Sequence, residues 1–435
     1  MTARRRGRGG LFAGAGLFLA LMLLPAPAGL SIPAWRTAAV GGLMACWWVT
    51  EAIPIPATAL LPLALFPVLG IGSIGEAVSI IAGIMVASAF LSMWVSNTAT
   101  ALMMLPIGIS LIELLPGEEE ERERKRFGAA LMLGIAYACS IGGMGSLIGT
   151  PPNAFLAGFI LETHDVEIGF AQWMLLGVPL VVVGLPLAWL ILTRFVFPVS
   201  LEEIPGGRAQ IQSRRQGLGT MRKAEKRVAV VFALTALMWM TRPLLQEWIP
   251  GLSDAGIAMG AAILLFLVPS GEREHERLLT WEQAEETPWG VLVLFGGGLS
   301  LAAAIERTGL GDWLGGRMES IAHWPLVLLV AAVVASIILL TELTSNTATA
   351  ATFLPVLGAV ALAIGQDPLV LAVPAALAAS GAFMLPVATP PNAIVYASGA
   401  VEMTDMVRAG VWINLVFTLL ITAASRILVP VVFGV

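Results

Sequence analysis

Apolar stretches follow one another along nearly the whole chain from Leu11 onward, each about 17–25 residues long, the length that a helix needs to cross a bilayer. Only 12% of the 435 residues are charged, and the mean hydropathy is +0.87. A soluble protein of this size would need far more charge on its surface. The sequence therefore predicts an all-α polytopic membrane protein.

Three clusters of basic residues stand out from the apolar background. Lys and Arg cluster at 4–8, at 122–126 and at 208–227, and the positive-inside rule predicts that all three clusters are cytoplasmic. The first apolar segment follows the N-terminal arginines without a small-residue cleavage site, so we expect a retained span rather than a signal peptide. The acidic run at 118–123 is predicted to be a solvated loop.

Two five-residue motifs, here called words, each occur twice in the chain. Ser-Asn-Thr-Ala-Thr at 96–100 recurs at 345–349, and Thr-Pro-Pro-Asn-Ala at 150–154 recurs at 389–393. The order is kept and the offsets, 249 and 239 residues, are nearly equal. Two such coincidences indicate an internal duplication, and duplicated halves with interrupted apolar segments are typical of secondary transporters rather than open channels.

Each word interrupts an apolar stretch, which is tolerable at the tip of a re-entrant hairpin or beside a water-filled cavity. The two prolines of the second word stop a helix from continuing. The predicted organisation is an N-terminal span at 1–33, a first repeat at 34–199 with a hairpin around 77–115 and a broken helix around 150–153, a cytoplasmic linker at 200–227, and a second repeat at 228–435 with a hairpin around 324–364 and a broken helix around 389–392.

The repeated words suit the binding of an anion by neutral groups. Asn and Thr side chains donate hydrogen bonds, and a helix that restarts after Ser-Asn-Thr offers its N-terminus, with its positive dipole end. No Lys, Arg or His lies in or beside either copy of Ser-Asn-Thr. Such a site permits release of the anion as well as capture.

Oxygen atoms suited to sodium lie near the same words. Ser92 precedes Ser96 by four residues, and Thr341 precedes Ser345 by four, a spacing that would place each pair on one helix face. Freed carbonyls at a helix break can complete such a site. Small residues that leave their carbonyl accessible stand just before the second word in each half: Gly149 and Ala388.

Several longer motifs carry a family resemblance. They lie at 50–54, 91–100, 141–143 leading to 149–153, 295–298 and 385–392. With these motifs the chain resembles the divalent anion/sodium symporter family, which includes bacterial dicarboxylate carriers and animal transporters for citrate, dicarboxylates and sulfate. The match extends from about residue 35 to the end of the chain.

The resemblance implies two inverted repeats, each with a re-entrant helical hairpin and a broken helix, arranged as a scaffold and a transport domain in a homodimer with elevator-like motion. Implied substrate-binding residues are Asn97, Thr98, Thr150, Pro151, Ser345, Asn346, Thr347, Thr389 and Pro390. Implied sodium ligands are Ser92, Ser96, Asn97 and Gly149 in one site and Thr341, Ser345, Asn346 and Ala388 in the other.

The expected function is sodium-coupled transport of a small divalent anion, with a C4-dicarboxylate such as succinate as the expected substrate. A sodium-independent dicarboxylate exchanger and a sulfate or citrate carrier stay open as alternatives. Sodium acts as the coupling ion and no cofactor is expected. We expect an integral protein of a bacterial cytoplasmic membrane without a nucleic-acid partner, because no basic patch with interleaved aromatic residues is present.

The first half departs from the family pattern. Trp48 lies 48 residues before its Ser-Asn-Thr word, whereas the similar Trp239 lies 106 residues before the second copy. About fifty residues, including a span, are missing near 75–80 relative to the second half. Three explanations stay open: 77–95 crosses the membrane, the N-terminus lies outside, or the chain is an incomplete gene product.

Other function classes find little support. Gly-x-Gly-Asp at 309–312 resembles a word of intramembrane aspartyl proteases, but neither tyrosine of the chain is followed by the Asp that these enzymes need. Cys46 and Cys139 lie in apolar segments and predict neither a disulfide nor a metal site. The three histidines have no metal-ligand spacing: His164, His275 and His323. An enzyme is therefore a remote alternative.

Two acidic residues lie close to the predicted core. Glu342 stands between Thr341 and Ser345, so a coupling role and a capping or packing role both stay open. Glu51, next to two prolines, is predicted to be structural.

Overall fold

The computed structural model describes residues 14–27, 32–50, 76–115, 121–199, 212–213, 216–217, 219–272, 276–286, 290–310, 313 and 324–435. The chain divides into two compact units, Met1–Ile80 with Ser200–Ile204 and Ile81–Val199 with Pro205–Val435. The arginines at 4–8, Glu51 and the Asp of the Gly-x-Gly-Asp word at 309–312 lie outside the described residues. The predicted domain boundaries stay a prediction.

The described residues are helical apart from turns and an isolated bridge between Pro269 and Arg277. The smaller unit contains α1 (Gly14–Leu23) and α2 (Ile32–Thr50). The further helices are α3 (Glu76–Ser92), α4 (Asn97–Ile112), α5 (Glu121–Gly143), α6 (Pro151–His164), α7 (Phe170–Leu190, continued by a π-helix, Ile191–Val196), α8 (Lys223–Leu245), α9 (Asp254–Leu267), α10 (Trp281–Glu285), α11 (Gly290–Thr308), α12 (Leu326–Thr341), α13 (Asn346–Ala363), α14 (Leu369–Ala379), α15 (Pro390–Ala397) and α16 (Met403–Phe433).

Five helices of the described residues are long and apolar enough to cross a membrane. They are α5, α7 with its π-helical end, α8, α13 and α16. Seven shorter apolar helices accompany them. The central helix is α5, which is almost wholly buried from Phe127 onward. The prediction of an all-α polytopic membrane protein is confirmed at this level.

The first Ser-Asn-Thr word lies at a helix break. Helix α3 ends at Ser92, and α4 begins at Asn97 after a short turn. The Ser96 hydroxyl accepts a hydrogen bond from the Ala99 N–H at 3.3 Å, so this serine is the N-cap of α4.

The second copy folds in the same way. Helix α12 ends at Thr341, and the Ser345 hydroxyl caps α13 by accepting from the Ala348 N–H at 3.1 Å. The prediction that each hydroxyl pair shares a helix face is wrong, because the helix stops at Ser92 and at Thr341. The serine four residues later therefore belongs to the next helix as its cap.

The Thr-Pro-Pro-Asn words also start helices. The chain leaves α5 after Gly143 and starts α6 at Pro151, and it leaves α14 after Ala379 and starts α15 at Pro390. Proline is favoured at the first helical position, because its missing N–H would have no helical partner there. We call residues 144–150 the first break and residues 380–389 the second break.

The halves of the chain are interlocked. Helix α6, which follows the first break, packs against α13 and α14 of the second half. Helix α15, which follows the second break, packs against α4 and α5 of the first half. Each half therefore supplies one helix to the core of the other.

Helices α8 and α9 pack on each other, and α8 also packs on α7. A buried arginine lies at this junction. Arg242 of α8 forms ion pairs with Glu167, which precedes α7, and with Asp254 of α9, the latter at 3.2 Å. The Asp254 carboxylate also accepts from the Phe170 N–H at 2.8 Å, so one cation ties three helix ends together.

Close backbone contacts around the first break depend on glycine. A Cβ atom added at Gly142 would lie 2.2 Å from the carbonyl oxygen of Ala89, so α3 and α5 touch through their backbones there. Gly177 of α7 approaches the carbonyl oxygens of Met144 and Gly145 in the same way, at 2.6 and 2.8 Å from an added Cβ. These helices reach their observed separation only without side chains at the two glycines.

We expect Gly142→Ala to destabilise the protein by about 1–3 kcal/mol, because backbone must shift to admit the methyl group. The measurement is the unfolding temperature of the purified protein in detergent, followed by tryptophan fluorescence. Gly158→Ala is the matched control, since Gly158 is also helical and an added Cβ meets nothing within 4 Å. Equal unfolding temperatures for the two variants would contradict the proposed backbone contact.

Candidate functional site

Four segments of the chain meet at the first Ser-Asn-Thr word. One terminal atom of the Asn97 amide lies 2.6 Å from the Ser92 hydroxyl, 3.1 Å from the Cys139 carbonyl oxygen and 3.2 Å from the Gly149 carbonyl oxygen. Gly143 leaves room for this amide, because a Cβ added there would lie 2.6 Å from it. We call Ser92, Asn97, Cys139 and Gly149 the first oxygen cluster.

The second word forms a similar arrangement. The Thr341 hydroxyl lies 2.8 Å from Asn346 Oδ1 and 3.0 Å from the Ala379 carbonyl oxygen, and it donates to these acceptors. Thr341 is fully buried and Asn346 is half-buried. We call Thr341, Asn346 and Ala379 the second oxygen cluster.

The second cluster holds more oxygen atoms than protons, and in the first cluster the balance depends on the orientation of the Asn97 amide. The single hydroxyl proton of Thr341 serves two acceptors. At Asn97, an amide nitrogen facing the cluster donates to its three neighbours, whereas half a turn of the amide directs its oxygen at them and leaves only the Ser92 proton. Carbonyl, amide and hydroxyl oxygens in such numbers are the ligands that a hard cation prefers.

The asparagines of the Thr-Pro-Pro-Asn words hold the breaks in place. Asn153 Nδ2 donates to the carbonyl oxygens of Gly143 at 3.2 Å and Ser146 at 2.8 Å. Asn392 Nδ2 donates to Ala382 at 3.4 Å and Leu385 at 3.0 Å. The acceptors stand ten and seven residues before the asparagine in both halves, so the two breaks are pinned alike.

The breaks of the two halves touch each other. The hydroxyls of Thr150 and Ser380 lie 3.2 Å apart, and both residues are buried. Thr389 instead accepts from the Asn392 N–H at 3.3 Å and caps its own helix. The N-terminus of α6 is therefore in contact with the second break.

The remaining predicted residues lie around these breaks. Thr98 and Thr347 are half-buried in the first turns of α4 and α13. Ala388 is buried, and its N–H donates to the Leu385 carbonyl at 3.2 Å. The exposed members of the predicted set are Ser96, Ser345, Pro151 and Pro390.

Four helix N-termini belong to the site, those of α4, α6, α13 and α15. All four carry a partial positive charge, but backbone N–H groups are offered by α4 and α13, because α6 and α15 begin with two prolines that have no N–H. Cationic side chains are absent from all four words. The arrangement can therefore hold an anion through neutral donors and helix ends.

Several contributors escaped the sequence prediction. Cys139 and Ala379 take part through their backbone carbonyls, and no side-chain signal marks a carbonyl. Ser380 meets Thr150 across 230 residues of chain. Asn153 and Asn392 stand inside the repeated words, so the duplication itself was the signal that could have identified them.

Replacing Asn153 by Asp tests the pinning of the first break. The carboxylate would face the Gly143 and Ser146 carbonyls without a donor, so we expect a lower unfolding temperature than for Asn153→Ala. Gln172→Glu is the matched control, because this half-buried amide at the start of α7 undergoes the same chemical change nearer the protein surface. An Asp variant as stable as the wild type would exclude the pinning role.

A family model described as the sodium:sulfate symporter transmembrane region matches residues 68–434 of the chain. The chain is also similar to the sodium-dependent dicarboxylate transporter SdcS of Staphylococcus saprophyticus, with 40% identity covering 98% of this chain and 92% of the relative. The SdcS proteins of Staphylococcus aureus strains USA300 and MRSA252 are 39% identical with the same coverage.

The alignment with the S. saprophyticus protein differs in length from the chain. It spans 477 positions, whereas 98% of 435 residues is about 426, so about 51 aligned positions have no residue in this chain. This number agrees with the fifty residues predicted to be missing. Their location in the first half stays a prediction.

Proposed function

Because the chain belongs to the sodium:sulfate symporter family, we propose that it carries a small dicarboxylate across the membrane together with sodium ions. Membership confirms the predicted family and the prediction that this integral membrane protein is a transporter and not an enzyme. The substrate, the coupling and the site residues that follow are proposals.

The observation that carries the proposal is the pair of oxygen clusters. A sodium ion between Ser92, Asn97, Cys139 and Gly149 would have four oxygen ligands once the Asn97 amide turns its oxygen toward the ion. A second ion would bind Thr341, Asn346 and the Ala379 carbonyl in the same way. Hydroxyls and freed carbonyls at helix breaks are the usual sodium ligands of secondary transporters.

The anion would bind beside these ions at the helix N-termini. Asn97, Thr98, Asn346 and Thr347 lie in the first turns of α4 and α13, where side-chain donors and the helix dipole act together. Thr150, Pro151, Thr389 and Pro390 begin the helices that follow the breaks. Sodium bound nearby would balance the two negative charges of the substrate.

The choice of anion rests on the relatives. Proteins similar to nearly the whole chain are named sodium-dependent dicarboxylate transporters, which favours a C4-dicarboxylate such as succinate. The family description instead names sulfate, a smaller dianion that presents similar charge. Sulfate is therefore the second candidate, and citrate and sodium-independent exchange are the remaining alternatives.

The interlocked packing supports an elevator-like mechanism. Rocking one inverted repeat against the other would separate α6 from α13 and α15 from α4. Movement of both repeats together keeps these contacts and carries the whole site across the membrane. The scaffold, the homodimer and a location in a bacterial cytoplasmic membrane belong to the same proposal, and the mass of the detergent-solubilised protein tests the dimer.

The first test is uptake of labelled succinate by proteoliposomes with and without an inward sodium gradient. We expect uptake to require sodium, and Thr341→Val to raise the sodium concentration for half-maximal uptake about tenfold, because the isosteric valine removes one ion ligand. Thr235→Val is the matched control, since the Thr235 hydroxyl donates only within its own helix, to Val231.

Each other outcome has a defined meaning. Uptake that requires internal dicarboxylate but no sodium would replace symport by exchange. Stronger inhibition by sulfate or citrate than by unlabelled succinate would change the substrate. Absence of uptake for all three anions would overturn the proposed function for this shortened chain.

A cross-link between the halves tests the elevator-like motion. A Cβ added at Gly358 of α13 lies 3.9 Å from the imidazole of His164 at the end of α6. In a background with Cys46 and Cys139 replaced by Ala, we expect the His164→Cys, Gly358→Cys double variant to keep most of its uptake after bridging by a short bifunctional thiol reagent. Loss of uptake in the bridged protein, but not in either treated single variant, would favour rocking of the repeats.

A further inference from the structure

A buried carboxylate lies at the end of α12, directly after Thr341. Glu342 is 3% exposed. Its Oε1 accepts from the N–H groups of Phe383 at 2.7 Å and Met384 at 2.9 Å and from the Asn414 amide at 2.8 Å. Its Oε2 accepts from the N–H groups of Met384 and Leu385, both at 3.0 Å.

All of these neighbours are donors. A protonated carboxyl group would need an acceptor for its proton, whereas an ionised one accepts throughout. The geometry therefore matches the negatively charged form of Glu342. Among the ion pairs of the described residues none includes Glu342, so the charge has hydrogen bonds around it but no counter-charge.

This carboxylate holds the second break in position. The three N–H groups belong to residues 383–385, between the Ala379 carbonyl of the second oxygen cluster and the Pro-Pro word. Gly410 of α16 closes the other side, since a Cβ added there would lie 2.5 Å from the Phe383 carbonyl oxygen. The same turn receives the Tyr137 hydroxyl, which donates to the Phe383 carbonyl at 2.7 Å.

In the first half, a neutral hydroxyl group and not a carboxylate holds the break in position. Met93 stands where the second half has Glu342, one residue after the hydroxyl of the cluster. The Ser146 hydroxyl holds the first break by donating to the Met93 carbonyl at 2.5 Å and accepting from the Gly149 N–H at 3.1 Å. The second half has Leu385 in place of Ser146, at the 239-residue offset of the Pro-Pro words.

We propose that Glu342 is the counter-charge and positioning residue of the second oxygen cluster, so that this cluster binds sodium more tightly than the first. The inference rests on the proposed sodium coupling and goes beyond it by making the two ion sites unequal. A carboxylate without a counter-charge is costly inside a membrane protein even when it is hydrogen-bonded, and a cation bound at the adjacent Thr341 would reduce that cost. Opposite charges attract more strongly in a medium of low dielectric than in water.

Two conservative variants of Glu342 separate the effect of its charge from the effect of its side-chain length. Glu342→Gln keeps the length of the side chain and loses the charge, whereas Glu342→Asp keeps the charge and shortens the side chain by one methylene. If charge binds sodium, the Gln variant needs about tenfold more sodium for half-maximal uptake and the Asp variant retains the higher affinity. If Glu342 only positions the break, both variants weaken sodium binding, because Asp is too short and the Gln amide nitrogen faces N–H donors, and the counter-charge role is excluded.

Sodium-dependent stabilisation gives a readout that does not need transport. A ligand that binds only the folded protein raises the unfolding temperature, so titration with sodium chloride against choline chloride measures binding in detergent. We expect the Gln variant to show its stabilisation at about tenfold higher sodium than the wild type. Glu247→Gln, at an exposed position after α8, is the matched control and should behave as the wild type.

The outcomes distinguish failure of the proposed sodium coupling from failure of the proposed role of Glu342. A wild-type protein that shows neither sodium-dependent uptake nor stabilisation overturns the proposed coupling itself. A wild type that shows both, with a Gln variant of unchanged sodium dependence, overturns the role of Glu342 alone. If the Gln variant does not fold, Asn414→Lys places an ammonium group beside the carboxylate, and we then expect loss of the sodium-induced stabilisation. Unchanged stabilisation in that variant would contradict the inference.

Discussion

Unpaired backbone groups at helix breaks inside an apolar core are the constraint on which this structure depends. Each break leaves N–H and C=O groups without helical partners, and no water from a bilayer interior can replace them. Asn153 and Asn392 satisfy carbonyls, serine and threonine caps satisfy N–H groups, and Glu342 satisfies three N–H groups of the second break. The carbonyls that stay available face the oxygen clusters. The helix breaks therefore lower the stability of the fold unless their backbone groups find partners, and they also supply the oxygen atoms of the candidate site.

Interlocking of the halves follows from the shortness of the helices after the breaks. Helix α15 has only eight residues and α6 has fourteen, so neither can form a stable element alone. Each is stabilised by packing on helices of the opposite half. This exchange joins both copies of the repeated words in one body. Any motion that carries substrate must then move the body as a whole or break a large apolar contact.

The two halves of the chain have a similar backbone around the repeated words but use different side chains there. Both use a hydroxyl, an asparagine and freed carbonyls in the same order, and both let a glycine of a long helix approach the break, Gly177 in one and Gly410 in the other. The side chains that hold the two breaks in position differ: the first break is held by the neutral hydroxyl of Ser146 and the second by the carboxylate of Glu342. If the two clusters bind sodium as proposed, the carboxylate beside the second one would make the two ion sites unequal in strength.

The sequence by itself determined the membrane class, the repeated words and the helix starts after both Ser-Asn-Thr words, because spans and caps depend on neighbouring residues. It predicted that the Pro-Pro words stop a helix, whereas a helix begins at each of them. One prediction from the sequence was wrong because it missed a helix end. The spacing of Ser92 and Ser96 indicated one helix face, but α3 ends at Ser92. Only the tertiary structure decided that the carbonyls of Cys139 and Ala379 join the clusters, that Ser380 meets Thr150, and that Glu342 holds residues 383–385. Backbone carbonyls are the same in every residue, so their role depends on which distant segments packing brings together.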